Sequence, residues 1–189
     1  MVSMWELIRR PATISAKKAL LWGLFWMLGS AILGWYCAVV PTSIVEYTWG
    51  RTALINYVIY GVTIWVALAL PILLVVWFEG RRVVVWELFG RMLFAHIPVT
   101  FIMVPAMFGD KVAYSTFMAS PLSSQLSTLY IVLMLLYVVA FVVWFFVWGY
   151  QAFRAVMQLK GWRGVMLYSV ALYGSYLLSE YAIGVLMRM

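Results

Sequence analysis

Residues 126–149 read LSTLYIVLMLLYVVAFVVWFFVWG and contain no charged side chain. This run is long enough to span a membrane, because a helix needs about 20 mostly apolar residues to cross about 30 Å of hydrocarbon. Its apolar residues are continuous rather than alternating, which favours a helix over a barrel strand. Four other stretches are similar, so we predict an all-α transmembrane bundle with five spans, at about 19–41, 54–78, 88–108, 126–149 and 163–186.

The composition indicates a chain whose solvent is largely lipid. The 189 residues are 67% hydrophobic and 10% charged, with a mean hydropathy of +1.01, whereas soluble chains are only about half apolar. We therefore predict a single integral membrane domain over 1–189. The net charge is +7, but the basic residues are scattered between apolar segments. They predict contacts with membrane lipids and no nucleic acid.

Lysine and arginine predict the orientation of the chain. The larger group lies in the N-terminal segment and the second and fourth connections: Arg9, Arg10, Lys17, Lys18, Arg81, Arg82, Arg91, Arg154, Lys160 and Arg163. The opposite side has Arg51, Lys111 and Arg188. The positive-inside rule then predicts a cytoplasmic N-terminus and an outer C-terminus. Residues 1–18 are predicted to form a basic lead-in on the membrane surface, with Pro11 ending or turning any helix there.

The third predicted span contains the only histidine of the chain, His96, together with Pro98 and Pro105. Each proline removes an N–H group and clashes with the preceding turn, so we expect this helix to be bent or partly opened. In helical register, His96 shares a face with Thr100. An ionisable group inside a membrane suggests a site for a proton or a ligand. A neutral imidazole hydrogen-bonded to a neighbouring helix is the alternative interpretation.

A second polar stripe follows the last predicted span. It repeats at helical spacing and consists of Ser169, Tyr173, Tyr176 and Glu180. Two interpretations are open, a hydrogen-bonded seam between helices and a relay for protons or cations. The candidate intramembrane polar site is therefore His96, Thr100, Tyr173, Tyr176 and Glu180.

Small residues recur every fourth position in the first and last spans. The two patterns are Ser30, Gly34 and Ala38, and Ala171, Ser175 and Ser179. Such residues let helix backbones approach closely, and close packing stabilises helix association in lipid. We predict that these faces pack inside the bundle or against a second copy or another protein.

The sequence has no motif that predicts an enzyme. A phosphate-binding GxxxxGK[ST] loop, a zinc-binding HExxH motif, a CxxC pair and a GxSxG nucleophile turn are all absent. With one histidine, and with Cys37 as the only cysteine, the chain lacks the residues for a multi-histidine or thiolate metal site. We therefore predict no catalytic residue, no metal and no cofactor.

The order of the spans and their flanking residues resembles the bacterial branch of the Yip family, the Ypt/Rab-interacting membrane proteins. The similarity rests on the lead-in from Trp5 to Pro11, on the stretch from Gly90 to Pro98, and on the basic loop within VWGYQAFRAVMQLKGWRG at 147–164. The resemblance implies five spans, a cytoplasmic N-terminus and an outer C-terminus. It also implies a membrane scaffold or partner protein with no assigned chemistry.

These observations lead to two functional hypotheses. The first is a Yip-like, non-enzymatic protein of the bacterial cytoplasmic membrane that acts through lipid or protein contacts. The alternative is a small transporter or channel subunit, in which the bent third helix and a polar path between His96 and Glu180 carry the activity.

Overall fold

The computed structural model describes residues 11–123, 125–159 and 161–188. Of the predicted lead-in, residues 1–10, which include Trp5, Arg9 and Arg10, lie outside the described residues, as does Lys160. The elements are, in chain order, α1 (Ala16–Cys37), β1 (Val39–Pro41), β2 (Tyr47–Trp49), α2 (Leu54–Phe78), α3 (Val85–Ala95), α4 (Ile97–Thr100), a 3₁₀ turn (Phe101–Met103), α5 (Pro105–Phe108), α6 (Lys111–Ala119), α7 (Thr128–Met157) and α8 (Gly161–Leu186).

The first predicted span, 19–41, is displaced toward the N-terminus and shorter than expected. The hydroxyl of Ser15 accepts from the backbone N–H of Lys18 and caps α1, so Lys17 and Lys18 belong to the helix and not to the lead-in. The helix stops because Ala38 adopts a left-handed conformation with φ of 56°. Residues 39–41 form a strand instead, which pairs antiparallel with β2.

The third predicted span, 88–108, is a series of short helical pieces rather than one bent helix. The first piece, α3, ends at its C-cap residue His96, two residues before Pro98. The pieces α4, the 3₁₀ turn and α5 follow. Pro105 begins the last piece, at a position where its missing N–H costs little. The two prolines therefore divide the helix, because each removes a donor that a continuous helix would use.

The polar stretch 109–128, between the third and fourth predicted spans, contains a capped helix. Asp110 accepts hydrogen bonds from the backbone N–H groups of Val112 and Ala113 at 2.8 and 3.3 Å, and α6 follows. Tyr114 and Phe117 are buried on one side of α6, so this helix lies against the rest of the protein.

Within the described part of the chain, four helical segments are long and apolar enough to cross a membrane: Ala16–Cys37, Leu54–Phe78, Val85–Phe108 and Thr128–Met157. This is the pattern of a multi-pass membrane protein. The predicted fifth span corresponds to α8, whose 26 residues extend about 39 Å at 1.5 Å per residue. Its tyrosines, serines and glycines make it less apolar, and it is not among these four segments.

The helices pack in an order different from their order in the chain. α1 packs against α3 and α2, α2 packs against α8, and α3 packs against α7. Phe94 of α3 stacks on Trp148 of α7 with ring centroids 5.0 Å apart. α7 and α8 are consecutive in sequence but make few contacts with each other. Because α8 lies along α2, its other side diverges from α7.

A buried arginine ties the start of the described chain to α3. Arg91 is only 8% exposed, and one guanidinium nitrogen donates to the carbonyls of Pro11 and Ala12 at 2.6 and 3.1 Å. Glu87, one turn earlier, forms an ion pair with the same side chain at 3.0 Å. Residues 11–13 are helical, so Arg91 provides donors for carbonyls at the end of that helix.

Candidate functional site

The turn between β1 and β2 comprises residues 42–46, and we call it the hairpin tip; its middle is buried in the bundle, whereas Glu46 is exposed. Ser43 and Ile44 are 1% and 2% exposed. Irregular backbone is tolerated at membrane depth only where protein surrounds it and its polar groups are satisfied. The tip meets this requirement, as its hydrogen bonds show.

The hairpin tip satisfies most of its own N–H groups. The N–H groups of Thr42 and Ser43 donate to the carbonyl of Glu46 at 2.9 and 3.3 Å. The hydroxyl of Ser43 accepts from the N–H groups of Val45 and Glu46 at 3.4 and 3.1 Å. The serine therefore acts as a local turn former, as short hydroxyl side chains often do. The backbone of Ile44 uses groups on other elements.

His96 is the hydrogen-bond donor for the carbonyl of Ile44. Its Nε2 lies 2.9 Å from that oxygen, and because a carbonyl only accepts, Nε2 must carry a proton. The edge of Phe145 on α7 packs against the imidazole, with ring centroids 5.6 Å apart. This geometry favours the second interpretation of His96, a ring hydrogen-bonded to a neighbouring element.

Ser179 of α8 binds the other backbone polar group of Ile44, its N–H. Its hydroxyl accepts from the N–H of Ile44 at 3.1 Å and donates to the carbonyl of Tyr176 at 2.8 Å. One turn earlier, Ser175 donates to the carbonyl of Leu68 on α2 at 3.1 Å. The small-residue face of α8, with Ala171, is thus buried against α2 and the hairpin tip.

The small-residue pattern of α1 is divided between three roles. Gly34 approaches α2 closely, since a Cβ added there would lie 3.1 Å from the ring of Tyr57. Ser30 donates to the carbonyl of Met27 within its own helix. Ala38 lies beyond the helix end in the left-handed conformation, so it is a cap residue and not a helix-packing residue.

A narrow cavity of about 40 Å³ lies between α1, α2 and the third apolar segment; most of its wall is apolar, but several polar side chains reach it, and we call it the polar cavity. This volume is enough for a few water molecules. Its polar lining comprises Trp26, Ser30, Tyr47, Tyr57, Trp65, His96 and Thr100. Thr100 accepts from the indole N–H of Trp26 and donates to the carbonyl of Ile97 at 2.7 Å. Several of the lining groups are therefore already hydrogen-bonded to other parts of the protein.

A larger space of about 270 Å³, which we call the lateral groove, lies where α7 and α8 diverge. Its walls are mostly apolar and are formed by Ile44, Val45, Phe146, Tyr168, Ser169, Leu172, Tyr173 and Tyr176. Tyr173 is 65% exposed, so the groove faces outward from the bundle. The hairpin tip, through Ile44 and Val45, forms part of its lining.

Two carboxylates lie beside Tyr176, one of the residues that line the lateral groove. The hydroxyl of Tyr176 donates to a carboxylate oxygen of Glu46 at 3.0 Å, and Glu180, one turn further along α8, is its other acidic neighbour. Within residues 11–123, 125–159 and 161–188, the ion pairs are Arg91 with Glu87 and Arg163 with Glu79. Neither Glu46 nor Glu180 has a basic partner in that part of the chain.

The structure brings the predicted polar residues together in two groups. His96 and Thr100 line the polar cavity, whereas Tyr173 and Tyr176 line the lateral groove, with Glu180 beside Tyr176. The two groups therefore line different cavities. The described part of the chain contains no cluster of three histidine, cysteine or acidic side chains that would suit a metal ion.

The sequence interpretation missed the hairpin tip and Glu46. In the sequence, PTSIVEYTWGRT at 41–52 begins with a helix-stopping proline and has the character of a short connection between the first two spans. The available signal is the pair Ile44 and Val45, two apolar β-branched residues inside an otherwise polar connection. Their burial depends on the gap between α3, α7 and α8, which no local pattern reveals.

Comparison of the chain with family models, with curated proteins and with solved structures finds no match. The basis for a functional assignment is therefore the arrangement of its own side chains.

Proposed function

We propose that this chain is a Yip-like, non-enzymatic membrane protein that acts through contacts with lipids and with protein partners. The proposal includes five spans, a cytoplasmic N-terminus, an outer C-terminus and a place in a bacterial cytoplasmic membrane. Its support from the sequence is the charge distribution and the Yip resemblance described above.

The observation that carries the proposal is the use of the interior polar side chains. His96 and Ser179 bind the backbone carbonyl and the backbone N–H of Ile44, and Ser175 and Tyr114 donate to the carbonyls of Leu68 and Ile102. These groups hold the backbone of the protein itself rather than converging on a substrate. The lateral groove, in contrast, offers an apolar surface where lipid has access.

Affinity capture from native membranes tests the proposal most directly. The full chain is extracted in polymer-bounded lipid discs, and its lipids and proteins are quantified against an unrelated polytopic protein from the same membrane. We expect a reproducible enrichment of a lipid class or of a protein partner. A lipid composition equal to that of the bulk membrane, without any enriched protein, would contradict the proposal, as would catalytic turnover.

The second candidate is a small transporter or channel subunit, and the polar cavity beside His96 is the observation that favours it. Vesicles containing the purified protein and a trapped pH dye distinguish the two functions. The first proposal predicts no proton flux above that of empty vesicles. Flux that disappears in His96→Gln, with the protein still folded, would favour the transporter instead.

A further inference from the structure

We propose that the lateral groove is a binding site for one phospholipid with a primary ammonium headgroup. An acyl chain would lie between α7 and α8, and the ammonium would contact Glu46 and Glu180. This inference rests on the proposed function, since it names the lipid class that such a protein binds.

The packing of α8 provides the space for the acyl chain. Because α8 lies along α2, it leaves a gap of about 270 Å³ beside α7, and the walls of that gap are mostly apolar. Val170 and Tyr173 on the outward side of α8 are 66% and 65% exposed. In a membrane this surface meets lipid tails, so an acyl chain reaches the groove without desolvating any charge.

The position of Tyr176 connects the apolar wall to the carboxylates. The residue lines the groove, and its hydroxyl donates to Glu46 at 3.0 Å with Glu180 close by. A ligand that fills the groove therefore ends beside two carboxylates. An ionised carboxylate can accept hydrogen bonds but cannot donate one. Two such groups side by side therefore repel each other unless a cation lies between them.

The protein does not supply that cation among its described residues. Arg51 and Lys111 lie over the rings of Trp35 and Tyr36, at 5.7 and 5.5 Å from the ring centroids. Neither forms an ion pair, and the described ion pairs involve other acidic residues. The two carboxylates thus remain a local negative charge beside an apolar groove.

The apolar groove and the negative charge beside it together select the occupant. A primary ammonium carries three N–H donors, enough for both carboxylates, whereas a choline headgroup carries none. A phospholipid with net negative charge is repelled by the carboxylates unless it also presents such an ammonium. A free metal cation would satisfy the carboxylates but would leave the groove unexplained. Phosphatidylethanolamine is therefore the probe of choice.

The first experiment measures lipid retention by native mass spectrometry of the full chain. Dioleoyl phosphatidylethanolamine, phosphatidylcholine and phosphatidylglycerol are each added at equal concentration. We expect retention of the ethanolamine lipid to exceed that of the choline lipid about tenfold, because charge-assisted hydrogen bonds distinguish them. Equal retention of all three lipids would overturn the inference.

Variants separate the headgroup contact from the acyl-chain contact. Glu46→Gln combined with Glu180→Gln should reduce retention of the ethanolamine lipid to that of the choline lipid. Ser169→Phe fills the groove at an exposed position and should reduce retention of both lipids. The matched control is Glu79→Gln, an acidic residue that pairs with Arg163 and does not line the groove. A loss in the control equal to that in the double variant would refute the assignment.

Location and competing cations are tested separately. Phosphatidylethanolamine with a diazirine in its acyl chain should crosslink to peptides containing Phe146 or 168–176, and crosslinks confined to other helices would overturn the proposal. Free ethanolamine or calcium at millimolar concentration should displace the lipid poorly. Complete displacement would indicate a headgroup-only cation site. If the ethanolamine preference is absent while the chain still enriches another lipid, this inference fails and the proposed function stands.

Discussion

The buried tyrosine hydroxyls of this protein differ in whether they have a hydrogen-bond partner. Tyr114 is fully buried and donates to the carbonyl of Ile102 at 2.9 Å. Tyr168 is also buried, but its hydroxyl has no partner among the described residues and lies against Gly149. An unpaired buried hydroxyl costs free energy that a paired one does not.

A pair of phenylalanine substitutions tests this difference. Tyr114→Phe should lower the free energy of unfolding by about 1–2 kcal/mol, because the Ile102 carbonyl loses its donor. Tyr168→Phe should leave the stability unchanged or raise it slightly. Denaturant titration in detergent micelles, followed by tryptophan fluorescence, measures both. An equal loss in the two variants would mean that Tyr168 has a partner.

Alkaline pH should destabilise the protein through Tyr47 and Tyr114. Burial raises the pKa of both hydroxyls above the ordinary value of 10.0, because it disfavours the phenolate. Above about pH 10 the unfolded chain releases these protons while the folded chain retains them, so stability decreases as pH rises. The decrease between about pH 9 and about pH 11 should be smaller in Tyr114→Phe than in the unmodified protein. Melting temperatures at each pH provide the comparison.

At the scale of the elements, α7 and α8 are in close contact at Gly149 and Tyr168, and this contact should show energetic coupling. A Cβ at Gly149 would overlap the hydroxyl of Tyr168. We expect Gly149→Ala to lower stability, and Tyr168→Phe to recover about half or more of that loss by removing the overlapping oxygen. A double-mutant cycle of unfolding free energies measures the coupling. Additive effects would show that the two helices separate freely at this point.

The hairpin tip depends on donors and acceptors from two other elements. His96→Ala should cost about 2–3 kcal/mol, because the Ile44 carbonyl loses its partner in a buried environment. His96→Gln retains an N–H at a similar reach and should recover part of that loss. Unfolding measurements on both variants make the comparison. The control is Thr63→Ala, because the hydroxyl of Thr63 forms its hydrogen bond within its own helix, at an exposed position. If His96→Ala is as stable as the unmodified protein, the histidine has no structural role.

For the whole molecule, the number of spans depends on α8. In a Cys37→Ala background, we introduce single cysteines at exposed positions through Arg82→Cys, Ser120→Cys, Arg163→Cys and Arg188→Cys. A membrane-impermeant maleimide applied to intact cells should label positions 120 and 188, and positions 82 and 163 only after permeabilisation. Labelling of 163 and 188 from the same side would show that α8 does not cross the membrane.

Much of the helical architecture is predictable from the sequence, because long apolar runs have few alternatives in lipid. α2 begins and ends at the predicted residues 54 and 78. The third segment is interrupted at His96, near Pro98, as its prolines predict, but the partners of its freed carbonyls, such as Tyr114 for Ile102, come from other elements. The candidate site departs from its predicted form, since Thr100 and Tyr173, proposed as members of one polar site, line different spaces.

By itself, the sequence determined that this is a helical protein with several apolar segments, since hydropathy and proline positions act locally along the chain. The tertiary structure alone decided that the middle of the hairpin tip enters the bundle, that His96 and Ser179 bind the backbone carbonyl and N–H of Ile44, and that α8 packs on α2 more than on α7. These features join residues that are distant in the chain. Their energies come from contacts that arise only when the helices assemble, so no local pattern encodes them.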